Sequence, residues 1–224
     1  MRVGAGNVGY MGRGLTLAVL VAGLVTGCGT DGGRPDAAST ASAKATAKVA
    51  QRGGSVGAKG SACELPVTFD IAEFWKAKAV DAGKASNAGG DLADLADALL
   101  HQGPVTMACE IDAKPAGKIG FLRVWTGEPG GADARATLEG FVAAEKEASG
   151  AKYSTFTSGD VTGAEVEYVV TSKLLDEPRT EHALAVTTSE GPVVLHLGGL
   201  DDGEHTAMLP AYELAKSTLR TTAA

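Results

Sequence analysis

Two stretches of strict alternation constrain this chain more than any other feature. Val105, Met107, Cys109 and Ile111 are apolar at every second position, and so are Ala164, Val166, Tyr168 and Val170, with Glu165 and Glu167 between them. A period of two sends successive side chains to opposite faces, so each stretch predicts a strand with one dry and one wet face. Lys114-Pro115-Ala116-Gly117 supplies turn chemistry after the first stretch, and residues 118–125 return as an apolar strand, making a hairpin. Ser189-Glu190-Gly191-Pro192 joins Arg179 to Thr188 and Val193 to Leu197 into a second hairpin. Hairpins dictate antiparallel pairing, and a sheet with a dry face needs a cover.

Helical periodicity supplies that cover. Leu92, Leu95, Ala96 and Leu99 share one face of a predicted helix from Asp91 to Gln102, with Asp91 as N-cap and Gly103 beyond its end. A second helix is predicted over residues 132–148 with Leu138, Phe141 and Val142 inward. A third, Glu204 to Arg220, turns Met208, Ala211, Tyr212, Ala215 and Leu219 inward and either starts fully or kinks at Pro210. Val67, Phe69 and Ile71 open the folded part as a strand after Cys63, with Trp75 as a core anchor, Ala77 and Ala79 in a second strand and Tyr153 to Thr157 in another. The fold class is therefore α+β, an antiparallel sheet covered by helices.

Ahead of this domain the chain changes character twice. Leu15 to Val25 form an apolar run of about eleven residues behind Arg13, which suits the core of an export signal and is too short to span a bilayer. Leu24-Val25-Thr26-Gly27-Cys28 looks like a bacterial lipobox, whose cysteine thiol takes a diacylglyceryl group. Residues 1–27 are thus expected to be a signal peptide, with Met1 or Met11 as the start, and Cys28 to be lipidated. Residues 28–61, rich in Gly, Ala, Ser, Thr and Lys, read as a disordered tether, and 62–224 as a single domain.

With Cys28 assigned to lipid, Cys63 and Cys109 are the other two of the three cysteines, and in an exported domain they are expected to oxidise to one disulfide; two separate buried thiols are the alternative. The net charge of -7 argues against nucleic acid as a partner, since a phosphate backbone calls for clustered Lys and Arg.

Two motifs fail on context. Gly4-Ala5-Gly6-Asn7-Val8-Gly9 matches a dinucleotide fingerprint, but such a turn must follow a buried strand and only Met1, Arg2 and Val3 precede it. Gly53-Gly54-Ser55-Val56-Gly57 matches a nucleophile elbow, yet it lies in the expected tether without a strand-to-helix turn. Asp201-Asp202-Gly203-Glu204-His205 resembles a metal loop and reads more simply as the N-cap and acidic first turn of the last helix. His182 and His196 lie on adjacent strands and meet only if the register permits, while His101 closes the Asp91 helix. Trp125, at a strand end beside the Gly127 to Gly131 loop, is the residue singled out for a binding face. No cofactor, no metal and no catalytic constellation is expected.

The opening Val67-Thr68-Phe69-Asp70-Ile71 strand with Trp75, the Gly163 to Val170 strand, the Glu181 to Leu197 hairpin and the last helix through Pro210, Tyr212 and Leu219 resemble the Mog1/PsbP-like α/β/α sandwich family. The narrower likeness is to small actinobacterial cell-envelope lipoproteins. The resemblance spans about Cys63 to Arg220 and implies a binding or assembly platform. The expectation is a non-enzymatic protein-binding or assembly module, held at the outer face of the cytoplasmic membrane through the lipid on Cys28, with an envelope protein as partner. A small-molecule or lipid carrier is the alternative, and an apolar pocket would favour it.

Overall fold

The computed structural model describes residues 48–83, 98–172 and 177–222. The expected signal peptide, Cys28 and residues 91–97 of the expected first helix lie outside the described residues.

The chain first forms β1 (Arg52–Val56), β2 (Val67–Ala72), β3 (Lys76–Ala79) and the two-residue β4 (His101–Gln102). The hairpin strands β5 (Val105–Asp112) and β6 (Gly120–Thr126) follow, then helix α1 (Ala134–Ala144). A meander of long strands comes next, namely β7 (Ala148–Ser158), β8 (Val161–Ser172), β9 (Glu177–Thr188) and β10 (Gly191–Gly199). Helix α2 (Asp202–Thr218) and the short β11 (Arg220–Thr221) close it. Among the described residues the main sheet has eight strands in the order β3-β5-β6-β10-β9-β8-β7, with β4 beside β5, and a second sheet runs β1-β2-β11. Every named pairing is antiparallel.

Strand parity sorts the core into two layers. Ile111, Leu122, Val124, Leu184, Val186, Val193, Leu195 and Leu197 turn to one face and pack with Phe69, Trp75, Met208, Tyr212 and Leu219. Met107, Trp125, Val166, Tyr168, Ala183, Ala185 and Val194 turn to the other face, under Leu138 and Phe141 of α1. The sheet therefore has α2 on one side and α1 on the other, the expected α/β/α sandwich.

Cys63 and Cys109 are joined by a disulfide with Cα atoms 6.0 Å apart. It ties the segment after β1 to the middle of the β5–β6 hairpin. Asp201 accepts a hydrogen bond from the Glu204 backbone N–H at 2.8 Å, which is the N-cap read from the sequence. The helix passes through Pro210 and begins at Asp202, so Pro210 neither starts it nor ends it.

Three expectations are corrected. The tether does not extend to residue 61, because Arg52–Val56 is a strand paired with β2 and the Ala50 N–H already bonds the Pro210 carbonyl at 2.8 Å. Its signal was hidden because the strand is held by backbone pairing, Val56 alone being buried, and because Gly53 has no Cβ where the Glu73 backbone passes. The helix expected to reach Gln102 gives way to β4 at His101, which places His101 in a strand. Leu99, assigned to the inward face, is 61% exposed.

Candidate functional site

The side of the sheet that carries α1 is only partly covered by it. The helix packs over β7, β8, β9 and β10, and beside it a cleft of about 730 Å³ opens over β5, β6 and β10. Antiparallel register decides which side chains face this cleft. Arg123 on β6 lies opposite His196 on β10 and opposite Glu110 on β5, and Trp125 lies opposite Val194, so Trp125 and His196 are diagonal neighbours on one face.

A charged network forms the deepest wall. His196, 6% exposed, and Glu181, 3% exposed, meet through Nε2 and Oε2 at 2.6 Å. The Tyr168 hydroxyl donates to the same oxygen at 3.1 Å, and Arg179 Nε donates to the other oxygen at 2.7 Å. Burial pushes the Glu181 carboxyl upward, but the charges and hydrogen bonds of His196 and Arg179 overcome that and hold it at about 2. Burial, then the neighbouring Glu181 charge, raises the Tyr168 phenol far above its usual range. An ionised carboxylate only accepts hydrogen bonds, so His196 donates to it from Nε2 and takes no part in this network through Nδ1. That nitrogen is buried without a partner, and so is the Trp125 indole Nε1. Both rings line the cleft. Phe141 joins them edge-on, 5.6 Å from Trp125 and 5.4 Å from His196 between ring centroids.

The rest of the wall is a second ion pair and an apolar rim. Arg123 Nε donates to Glu110 at 3.0 Å. Glu145, the C-cap residue of α1, makes no side-chain hydrogen bond among the described residues, and burial followed by the Glu181 charge pushes its carboxyl upward. Leu99, Ile119 and Leu200 stand at the mouth with 56% to 61% of their surface exposed.

Chemically, a carboxylate-held imidazole resembles the positioned base of an acid–base site, but its second nitrogen is buried away from the cleft. None of the described residues lining the cleft carries a hydroxyl or thiol nucleophile.

The residues singled out in the sequence are dispersed. Trp125 is in the cleft, but 3% exposed and packed on Phe141 instead of standing on a rim. His182 pairs with Leu197, one residue past His196, so the two histidines face opposite sides of the sheet and form no joint site. His182 Nδ1 instead meets His205 Nε2 of α2 at 2.8 Å. The acidic run at the start of α2 serves separate partners: Asp201 caps, Asp202 accepts from the Thr180 N–H, and Glu204 accepts from the Ile119 N–H. Ser55 of the elbow-like motif lies exposed on the edge strand β1. Glu181, Tyr168 and Arg179 were missed, although a glutamate in phase with Ala183 and Ala185 was a visible sign of a polar group on a dry face.

No curated protein matches the chain in sequence. Among solved structures it is similar to cyanobacterial PsbP (CyanoP) from Synechocystis sp. PCC 6803, at 14% identity and a TM-score of 0.46, over 75% of this chain and 98% of that one. A family model described as "Uncharacterised lipoprotein" matches residues 33–219, a span that takes in every element from β1 through α2. The chain belongs to this family of uncharacterised lipoproteins.

Proposed function

We propose that this lipoprotein is a membrane-tethered, non-enzymatic binding module that holds a small molecule in the cleft beside α1. The cavity of about 730 Å³ carries the reading, because it falls in the size range of ligand pockets and combines an apolar rim with a few buried polar groups. Lipoprotein family membership supports the anchor, with Cys28 as the lipidated residue and two acyl chains giving stable attachment at the outer face of the cytoplasmic membrane. Mass spectrometry under native conditions, on protein extracted from its own membranes, tests the binding reading; a co-purifying small molecule lost on Trp125→Ala is expected, and bare protein in every preparation counts against it. Cys28→Ala should move the protein from the membrane to the soluble fraction, and retention would overturn the anchor.

A protein-docking role is the second reading, favoured by Leu99, Ile119 and Leu200 together at the cleft mouth. In-cell crosslinking decides it: one envelope protein enriched only with the tethered form supports docking, with Cys28→Ala as control.

A further inference from the structure

One backbone angle runs against the side chain it carries. Phe74 has φ 68°, the only positive φ of a non-glycine residue among the described residues. The Trp75 N–H bonds the Ala72 carbonyl at 3.2 Å, so Phe74 is the third residue of a four-residue turn, a place that calls for glycine when φ is positive. A bulky side chain there strains the backbone, and burial does not offset it, since Phe74 is 61% exposed. Strain of this kind points to a use for the ring outside the fold. The ring borders a shallow groove of about 190 Å³ lined by Ala72, Ala116 and, from α2, Ala207 and Pro210. Ala50 also lines it, and the preceding Val49 is 47% exposed. Lys118 reaches the groove beside Glu73, and Lys114 opens the turn that supplies Ala116. Neither ammonium is ion-paired among the described residues.

The chain enters the domain at this groove. The Ala50 N–H bonds the Pro210 carbonyl at 2.8 Å, and Cys28, the expected lipid site, stands twenty positions before Lys48, a reach of at most about 70 Å. Within that reach a tethered domain meets the bilayer at an effective concentration on the order of mM, so a modest contact is enough. We propose that this face rests on the phospholipid bilayer that holds the anchor. Phe74 and Val49 enter the boundary between head groups and acyl chains, and the Lys114 and Lys118 ammoniums meet lipid phosphates. An aromatic ring among lysines suits that boundary, because the ring is apolar and the lysine stems reach back to the polar layer. The inference rests on the lipid anchor proposed above, and its test separates the two.

The full lipoprotein and its Phe74→Gly form are placed in nanodiscs of phosphatidylcholine and phosphatidylglycerol and treated with a water-confined acetylating reagent, and lysine labelling is read by mass spectrometry. Lys114 and Lys118 are expected to label several-fold more slowly in the native form than in Phe74→Gly. Lys152, on β7 with its side chain 79% exposed, should label alike in both. Glycine suits the turn, so the thermal midpoint of Phe74→Gly should be no lower than native, which separates loss of docking from loss of fold. Phe74→Asn, which also tolerates this angle, serves if glycine loosens the turn. Equal labelling of Lys114 and Lys118 in the native and variant forms overturns the proposal; if slowing then appears only in native membranes, the face belongs to a protein. A chain recovered without lipid on Cys28 and outside the discs fails the anchor reading, and the docking with it.

Discussion

His182 and His196 leave adjacent strands on opposite faces of the same sheet, offset by one residue in the β9–β10 register. The one-residue offset gives each histidine a different chemistry. His196 is clamped to the Glu181 carboxylate in the cleft wall, whereas His182 stacks on His205 of α2 with ring centroids 5.0 Å apart.

The His182–His205 pair predicts a loss of stability in mild acid. Burial lowers both imidazoles, and each also suffers from a nearby cation; His205 falls to about 4. The unfolded chain takes up protons near 6.5 while the folded one resists, so stability present above that pH drains away as pH falls from about 6.5 toward 4. On the order of 2 kcal/mol should be lost across this window. Urea midpoints at pH 7.5 and 5 measure it, and His205→Gln should flatten the slope.

Glu181→Gln should cost about 3 kcal/mol in urea denaturation, because it leaves Arg179 and the His196 contact uncompensated in a dry wall. Glu110→Gln, which breaks a pair whose side chains are 32% and 33% exposed, should cost less than about 1 kcal/mol. Equal effects would remove the distinction between the two ion pairs.

Reduction of Cys63–Cys109 opens a loop of 46 residues. The chain-entropy treatment gives roughly 4 kcal/mol for such a loop. Thermal unfolding with and without reductant, and of the Cys63→Ala, Cys109→Ala pair, should show the same drop in midpoint; no drop would make the bond dispensable.

Gly191→Ala tests the β9–β10 turn. Gly191 has φ 121°, and an added Cβ would strike the Gly127 carbonyl. A loss of at least about 2 kcal/mol is expected, since neither the backbone angle nor the space suits a side chain. Gly130→Ala, with nothing within 4 Å of its Cβ, is the comparison and should cost about half as much.

The strands of the main sheet were legible because side chains of alternating character are a local signal: β8 keeps its apolar positions on one face, whereas in β5 a bulge between Met107 and Cys109, invisible in the alternation, corrects the expected single dry face by turning Val105 and Met107 toward α1 and Cys109 and Ile111 to the other side. The start of α2 was legible for the same reason, a cap and its acidic first turn being contiguous. The cleft was not. Tyr168, Glu181 and His196 are brought together by the register of three strands, and shifting any of those pairings by one residue would scatter them. β1 escaped notice because its glycines and exposed side chains look like those of a linker, and only pairing with β2 distinguishes it.

The disulfide also sets how the molecule responds to traction. A pull on the chain ahead of Arg52 meets β1 at the end where it pairs with Ala72, so the strand peels away one rung at a time, its Arg52–Asp70 contact breaking early. The peeling stops at Cys63, which is bolted through Cys109 into β5, the second strand from the β3 edge of the main sheet. β1 is therefore a mechanical fuse, able to yield under load while the cleft on the far face keeps its shape.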